Sequence, residues 1–169
     1  GRAPLTSHVA GTREIQLKDR SIGYAFEIYP GMTFFSFNTD TPGTTNTIST
    51  FSGYYPSGGT FDATNTDFMY VIDSDENVLI RVDKFFGSST WIGLCNPCDG
   101  QTWTGITVDK TTNIMYGIST DMSESYIYII DMETLETTVI GATGIPGAID
   151  VTIDENGQMY SFDIVNDEA

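Results

Sequence analysis

A tyrosine recurs in strand-like runs at Tyr24, Tyr70, Tyr116 and Tyr160, at spacings of 46, 46 and 44 residues. A period of this size is the length of one four-stranded propeller blade. In the last three copies the tyrosine follows a methionine, and a Thr-apolar-Asp turn stands ahead of the pair. These are Thr60-Phe61-Asp62 before Met69-Tyr70, Thr107-Val108-Asp109 before Met115-Tyr116, and Thr152-Ile153-Asp154 before Met159-Tyr160. Few architectures accommodate a phrase repeated at this interval, so the repeat constrains the fold far more than the activity.

Further copies of the phrase extend each unit. An alternating run that closes on Asp or Asn follows each of the first three tyrosines: Thr33–Asn38, Val78–Asp83 and Tyr126–Asp131. A run closing on glycine comes next, Thr90-Trp91-Ile92-Gly93 matching Thr138-Val139-Ile140-Gly141. Each unit therefore reads innermost strand, Met-Tyr strand, Asp-closing strand, Gly-closing strand. Turn chemistry separates them, as in Ser74-Asp75-Glu76-Asn77 and Met122-Ser123-Glu124-Ser125. No window carries apolar residues at helical spacing with caps. The expected fold is all-β, built of antiparallel meanders of about 46 residues.

The blades are expected at 14–57, 58–102 and 103–147, with a partial blade at 148–169 and a tail or linker at 1–13. One blade cannot bury both faces of its sheet, and a ring needs at least ~4 blades. An incomplete ring is therefore expected, completed by further blades or another chain, and a fragment of a larger propeller is the favoured reading. The aromatic residues that fall on strand alternation are expected in the cores between blades, with Trp103 opening an innermost strand.

Charge narrows the partners. With 23 acidic against 7 basic residues, the formal charge of −16 repels phosphate backbones, and no basic patch compensates. Nucleic acid is excluded on this ground. No apolar run reaches the ~20 residues of a membrane span, so membrane insertion is not expected. Most acids stand at strand ends, where an Asp side chain closes a turn on its own main chain.

Cys95-Asn96-Pro97-Cys98 offers three chemistries: a short disulfide, free thiols, or a metal or redox centre. A redox centre wants a helix N-terminus in a βαβ context, and zinc wants two more ligands where the chain has a single histidine, His8. The expectation is a Cys95–Cys98 disulfide, which points outside the cytosol. Asp73, Asp75 and Asn77 alternate like a calcium loop, yet Val78 replaces the expected glycine and Lys84 the twelfth-position glutamate. The set is a weak metal candidate that leaves room for calcium; no other cofactor is expected. Catalytic residues are not found, since there is neither a nucleophile elbow nor a phosphate loop.

The grammar of Thr-apolar-Asp62, Asp109 and Asp154, the Met-Tyr pairs, the Ile-Asp close at Asp131 and the Ile-Gly closes resembles the blades of secreted bacterial β-propellers of the YVTN and lactonase-like type. It is similar to propeller segments of Bacteroidota surface proteins with type IX secretion signals, over about 14–163. The resemblance implies a secreted or cell-surface location, and it is specific for the fold and not for function. With no His cluster and no convergent catalytic motif, a non-enzymatic binding or scaffolding role toward a protein or glycan is the expected function. The alternative is part of a lactonase, lyase or glycosidase propeller whose catalytic residues lie outside this chain. The connections Phe51–Gly59 and Leu94–Thr102 occupy the same place in successive blades, so one rim should gather Tyr54, Tyr55, Asn96 and Asp99 as the candidate binding residues.

Overall fold

Residues 21–28, 31–51 and 54–166 are described by a computed structural model, in which they form 13 strands and no helix. The expected tail 1–13 and the start of the first blade at Glu14 lie outside the described residues. β1 (Ile22–Glu27), β2 (Thr33–Asn38) and β3 (Thr45–Thr50) make the first sheet, and β4 (Pro56–Phe61), β5 (Phe68–Asp73), β6 (Val78–Asp83) and β7 (Ser89–Leu94) the second. β8 (Thr102–Asp109), β9 (Ile114–Thr120), β10 (Ser125–Ile130) and β11 (Thr137–Ala142) make the third, and β12 (Ala148–Ile153) pairs with β13 (Met159–Asp163). Every pairing is antiparallel and follows chain order. The result is an all-β arc of propeller blades whose ring is not closed.

The repeat holds in register. Thr60 pairs Tyr70, Thr107 pairs Tyr116 and Thr152 pairs Tyr160, so the three tyrosines take equivalent places on the second strands. Two of them earn that place by a bond to the preceding turn. The Tyr70 and Tyr160 hydroxyls donate to Asp62 Oδ2 and Asp154 Oδ2, each at 3.3 Å. In the third blade the Thr112 hydroxyl takes Asp109 Oδ2 instead, at 2.8 Å.

Three apolar clusters fill three seams. Phe34 on β2 packs with Met69, Val71, Val78, Ile80 and Val82 between the first and second blades. Ile72 and Leu79, on the opposite face of the second blade, meet Trp103, Ile106, Val108, Met115, Tyr128 and Ile130 of the third. Ile118 then meets Ala148, Val151 and Met159. Period-two alternation explains the division: each methionine faces back to the preceding blade and the residue after it faces forward. The methionine is thus the deeper anchor, with Met69 and Met115 buried while Tyr70 and Tyr116 are half-buried.

The innermost strands carry a bulge at one level, between Pro56 and Gly58, Trp103 and Gly105, and Ile149 and Thr152. Main chains nearly touch there: a Cβ on Gly58 would fall 2.6 Å from the Gly105 Cα, and one on Gly105 would fall 2.5 Å from the Asp150 Cα. The outermost strands bulge as well, where Ile48, Ile92 and Ile140 each lack an opposite residue. A bulge bends an edge strand away from chance pairing. Trp91 and Ile140 lie on these edges, 58% and 56% exposed, so Trp91 belongs to the surface and not to a seam.

Candidate functional site

The strand order brings residues 54–55, the 74–77 turn, loop 95–101 and the 121–124 turn to one rim. Aspartate at a strand end makes each tight turn. Asp73 Oδ1 accepts the Asp75 and Glu76 N–H groups at 2.9 and 2.8 Å, and Asp121 Oδ1 accepts those of Ser123 and Glu124 at 2.8 and 2.9 Å. The opposite rim repeats the device at Asp83, Asp131 and Asp154. Such Asx turns satisfy main-chain donors that a tight hairpin leaves open.

Asp73 does more than close its own turn. It is fully buried, and its Oδ2 accepts the Tyr55 N–H at 2.6 Å while Ser74 N–H donates to the Tyr55 carbonyl at 3.0 Å. Both carboxylate oxygens are thereby committed to main-chain donors. Asp75 beside it is exposed and Asn77 sits at a left-handed φ of 52°. Among the described residues no three His, Cys, Asp or Glu side chains converge on a metal-sized centre. The Asp73–Asn77 stretch forms a turn that pins the neighbouring loop.

Loop 95–101 builds the rim's polar groove. Asn77, Asn96, Pro97, Cys98, Asp99, Gly100 and Gln101 line an open concavity of about 200 Å³. Asn77 Oδ1 is buried and has no hydrogen-bond partner among the described residues. Behind the groove the chain is held rigidly. The Trp103 indole donates to the Cys95 carbonyl at 2.7 Å, the Cys98 N–H donates to the Tyr128 hydroxyl at 3.2 Å, and Ser119 Oγ bridges Tyr128 and Gln101 at 2.9 Å each. Burial pushes the Tyr128 phenol above its ordinary pKa, so it stays a neutral donor and acceptor.

The two cysteines stand as free thiols in this structure, without the expected Cys95–Cys98 bond. The geometry separates them: Cys95 is fully buried in the seam cluster with Trp103, while Cys98 is only partly buried against it and lines the groove. Burial pushes the Cys95 thiol up to about 12.

The expected binding residues divide between two places. Asn96 and Asp99 share the polar groove. Tyr54 instead packs against the first seam, in a crevice with Phe26, Met32, Phe51 and Pro56 that leaves no room for water. Tyr55 is 45% exposed and lies outside both. The aromatic connection is also shorter than expected, because Pro56–Phe61 already forms β4. Pro suits the first position of a strand, where a missing N–H breaks no ladder. Sequence reasoning missed Gln101 and Gly100 as groove residues and Asn77 as its floor. The available signal was the Asx-turn grammar, which places Asn77 at the exit of the turn facing loop 95–101.

No protein-family model matches this chain, and no curated protein sequence matches it. Its fold is similar to solved structures. A chain of a nidogen/laminin complex aligns with a TM-score of 0.61 at 16% identity, over 84% of this chain and 52% of that one. A luciferin-regenerating enzyme aligns at 0.54 and 13% identity, over 79% of this chain and 45% of that one. The PQQ-bound aldose sugar dehydrogenase of Streptomyces coelicolor aligns at 0.52 and 19% identity, over 69% of this chain and 39% of that one. This chain spans about half or less of the length of each. At these identities the likeness is one of fold, shared by binding proteins and enzymes alike.

Proposed function

We propose that this chain is a non-enzymatic binding or scaffolding module of a secreted or cell-surface protein, docking a protein or glycan at the rim that carries loop 95–101. The observation behind this reading is the groove, where amide, carboxylate and thiol side chains gather around loop 95–101. The rigid backing at Trp103, Tyr128 and Ser119 supports the reading, since pre-organised polar groups bind without a further ordering cost. A surface location accords with the −16 charge and with the blade grammar shared with secreted bacterial propellers. The test is a glycan array, together with extracellular protein fractions of the source, probed with wild type and with an Asn77→Ala, Asn96→Ala, Asp99→Ala triple variant. Loss of a reproducible interaction with an unchanged circular dichroism spectrum is expected. Binding of undiminished affinity would place the functional surface elsewhere.

A further inference from the structure

Phe162 stands two residues beyond the blade tyrosine, the position that Ile72 and Ile118 hold in the second and third blades. Ile72 and Ile118 are 0% exposed, each buried in the seam with the following blade, whereas Phe162 is 63% exposed. Tyr160, on the same side of β13, is 53% exposed, and Ile149, paired opposite Phe162 on β12, is also exposed. Met159 on the alternate side faces back into the third seam. The fourth sheet therefore has one face packed and one face carrying the residue types of a packed face without its cover. An exposed contiguous set of aromatic and aliphatic side chains marks an interaction surface.

We infer that this face is a fourth seam and that its occupant is a further blade of the same repeat. Three observations select that occupant. The face continues, position for position, the forward faces of the second and third blades. Each of the three internal seams is closed by the same element, a following strand whose methionine points back: Met69, Met115 and Met159. The arc also spans only about half the length of the chain it resembles in the nidogen/laminin complex. The covering blade presents a methionine or β-branched residue to Phe162, as Met115 and its neighbours are presented to Ile72. The inference is independent of the rim's ligand.

Hydroxyl-radical footprinting, read by mass spectrometry, tests it. Oxidation of Tyr160 and Phe162 is compared with that of Phe85 and Phe86, which are exposed on a turn of the second blade. The 169-residue chain and the polypeptide purified from its source are treated alike. The expected result is labelling of all four residues in the 169-residue chain and selective protection of Tyr160 and Phe162 in the source polypeptide. A benzophenone photo-cross-linker at position 162 should then capture a segment bearing the Thr-apolar-Asp and Met-Tyr pattern. Protection in the 169-residue chain that is independent of concentration would assign the cover to the chain's own residues. Protection that grows with concentration, alongside a doubled mass, would assign it to a second copy. Labelling of all four residues in both samples would leave the face bare. Each of these three outcomes overturns the inference. As a second readout, Phe162→Asp should lower the unfolding midpoint of the source polypeptide and leave that of the 169-residue chain unchanged; an equal effect in both also overturns it.

Discussion

The Trp103 indole N–H donates to the Cys95 main-chain carbonyl at 2.7 Å, and this bond ties the groove loop to the first residues of an innermost strand. The ring is 1% exposed and meets the Tyr128 ring edge-on, with centroids 4.9 Å apart. Loop 95–101 is consequently built from the core outward.

Trp103→Phe keeps most of the apolar contact but strands the Cys95 carbonyl, and should cost about 1–3 kcal/mol. Trp103→Ala opens a cavity as well and should cost about 3–5 kcal/mol. Urea unfolding of both variants checks the ordering. A Phe variant as stable as wild type would mean that the loop is held by something other than this bond.

The strand order, the register of the tyrosines and the Asx turns were legible because each rests on local chemistry repeated at a fixed interval. What escaped notice depended on which face a residue takes. Tyr116 and Met115 are adjacent and both apolar enough to bury, yet only the methionine points into the tighter seam. Trp91 stands in a strand run like the core aromatics, but the outer bulge at Ile92 lies beside it and it is on an exposed edge. At the candidate site, Asn96 and Asp99 share a connection in the sequence and line one groove in the structure. Tyr54 packs against the first seam, and a half-buried aromatic in a loop is indistinguishable, in one dimension, from a presented one. The Cys-x-x-Cys spacing likewise says nothing of how deeply each thiol sits: Cys95 is fully buried and Cys98 only partly.

The Asx turns carry a pH dependence of predictable sign. The Thr111 hydroxyl and N–H hold Asp109 below the ordinary carboxylate value, and main-chain N–H groups do the same for Asp121, Asp131 and Asp154. A carboxyl whose folded pKa is depressed contributes fully above its unfolded value of about 3.9 and loses that contribution as pH falls through the folded value. Thermal midpoints should therefore fall below about pH 4. Replacing these four aspartates by asparagine keeps the acceptor oxygen and removes the proton uptake. The variant should show a flatter acid limb than wild type, and superimposable limbs would exclude the turns as its source.

The thiols should react in sequence. Cys98 lines the groove, whereas Cys95 is fully buried and its thiol is pushed up to about 12, so little nucleophilic thiolate forms there. Iodoacetamide at mildly alkaline pH should modify Cys98 first in the native protein and both residues equally in urea. Peptide mapping distinguishes the two. Equal native rates would show that Cys95 is more accessible than its packing against Trp103 implies, and the absence of any reaction in urea without reductant would reveal a disulfide.

The inner glycines separate steric from conformational cost. Gly105 has no left-handed φ, but an added Cβ would fall 2.5 Å from the Asp150 Cα, in the adjacent innermost strand. A main-chain neighbour cannot rotate aside, so Gly105→Ala must push two blades apart, and overpacking of this kind costs about 1–3 kcal/mol. Gly141 lies on an outer strand with nothing within 4 Å of its added Cβ and also lacks a left-handed φ. Gly141→Ala should be neutral or stabilise by about 0.4–1 kcal/mol, because alanine narrows the unfolded ensemble at a compatible position. Urea midpoints of the pair should therefore move in opposite directions or differ clearly in size. If Gly105→Ala is tolerated as well as Gly141→Ala, the innermost strands are not packed main chain to main chain, and the close stacking of successive blades at this level is wrong.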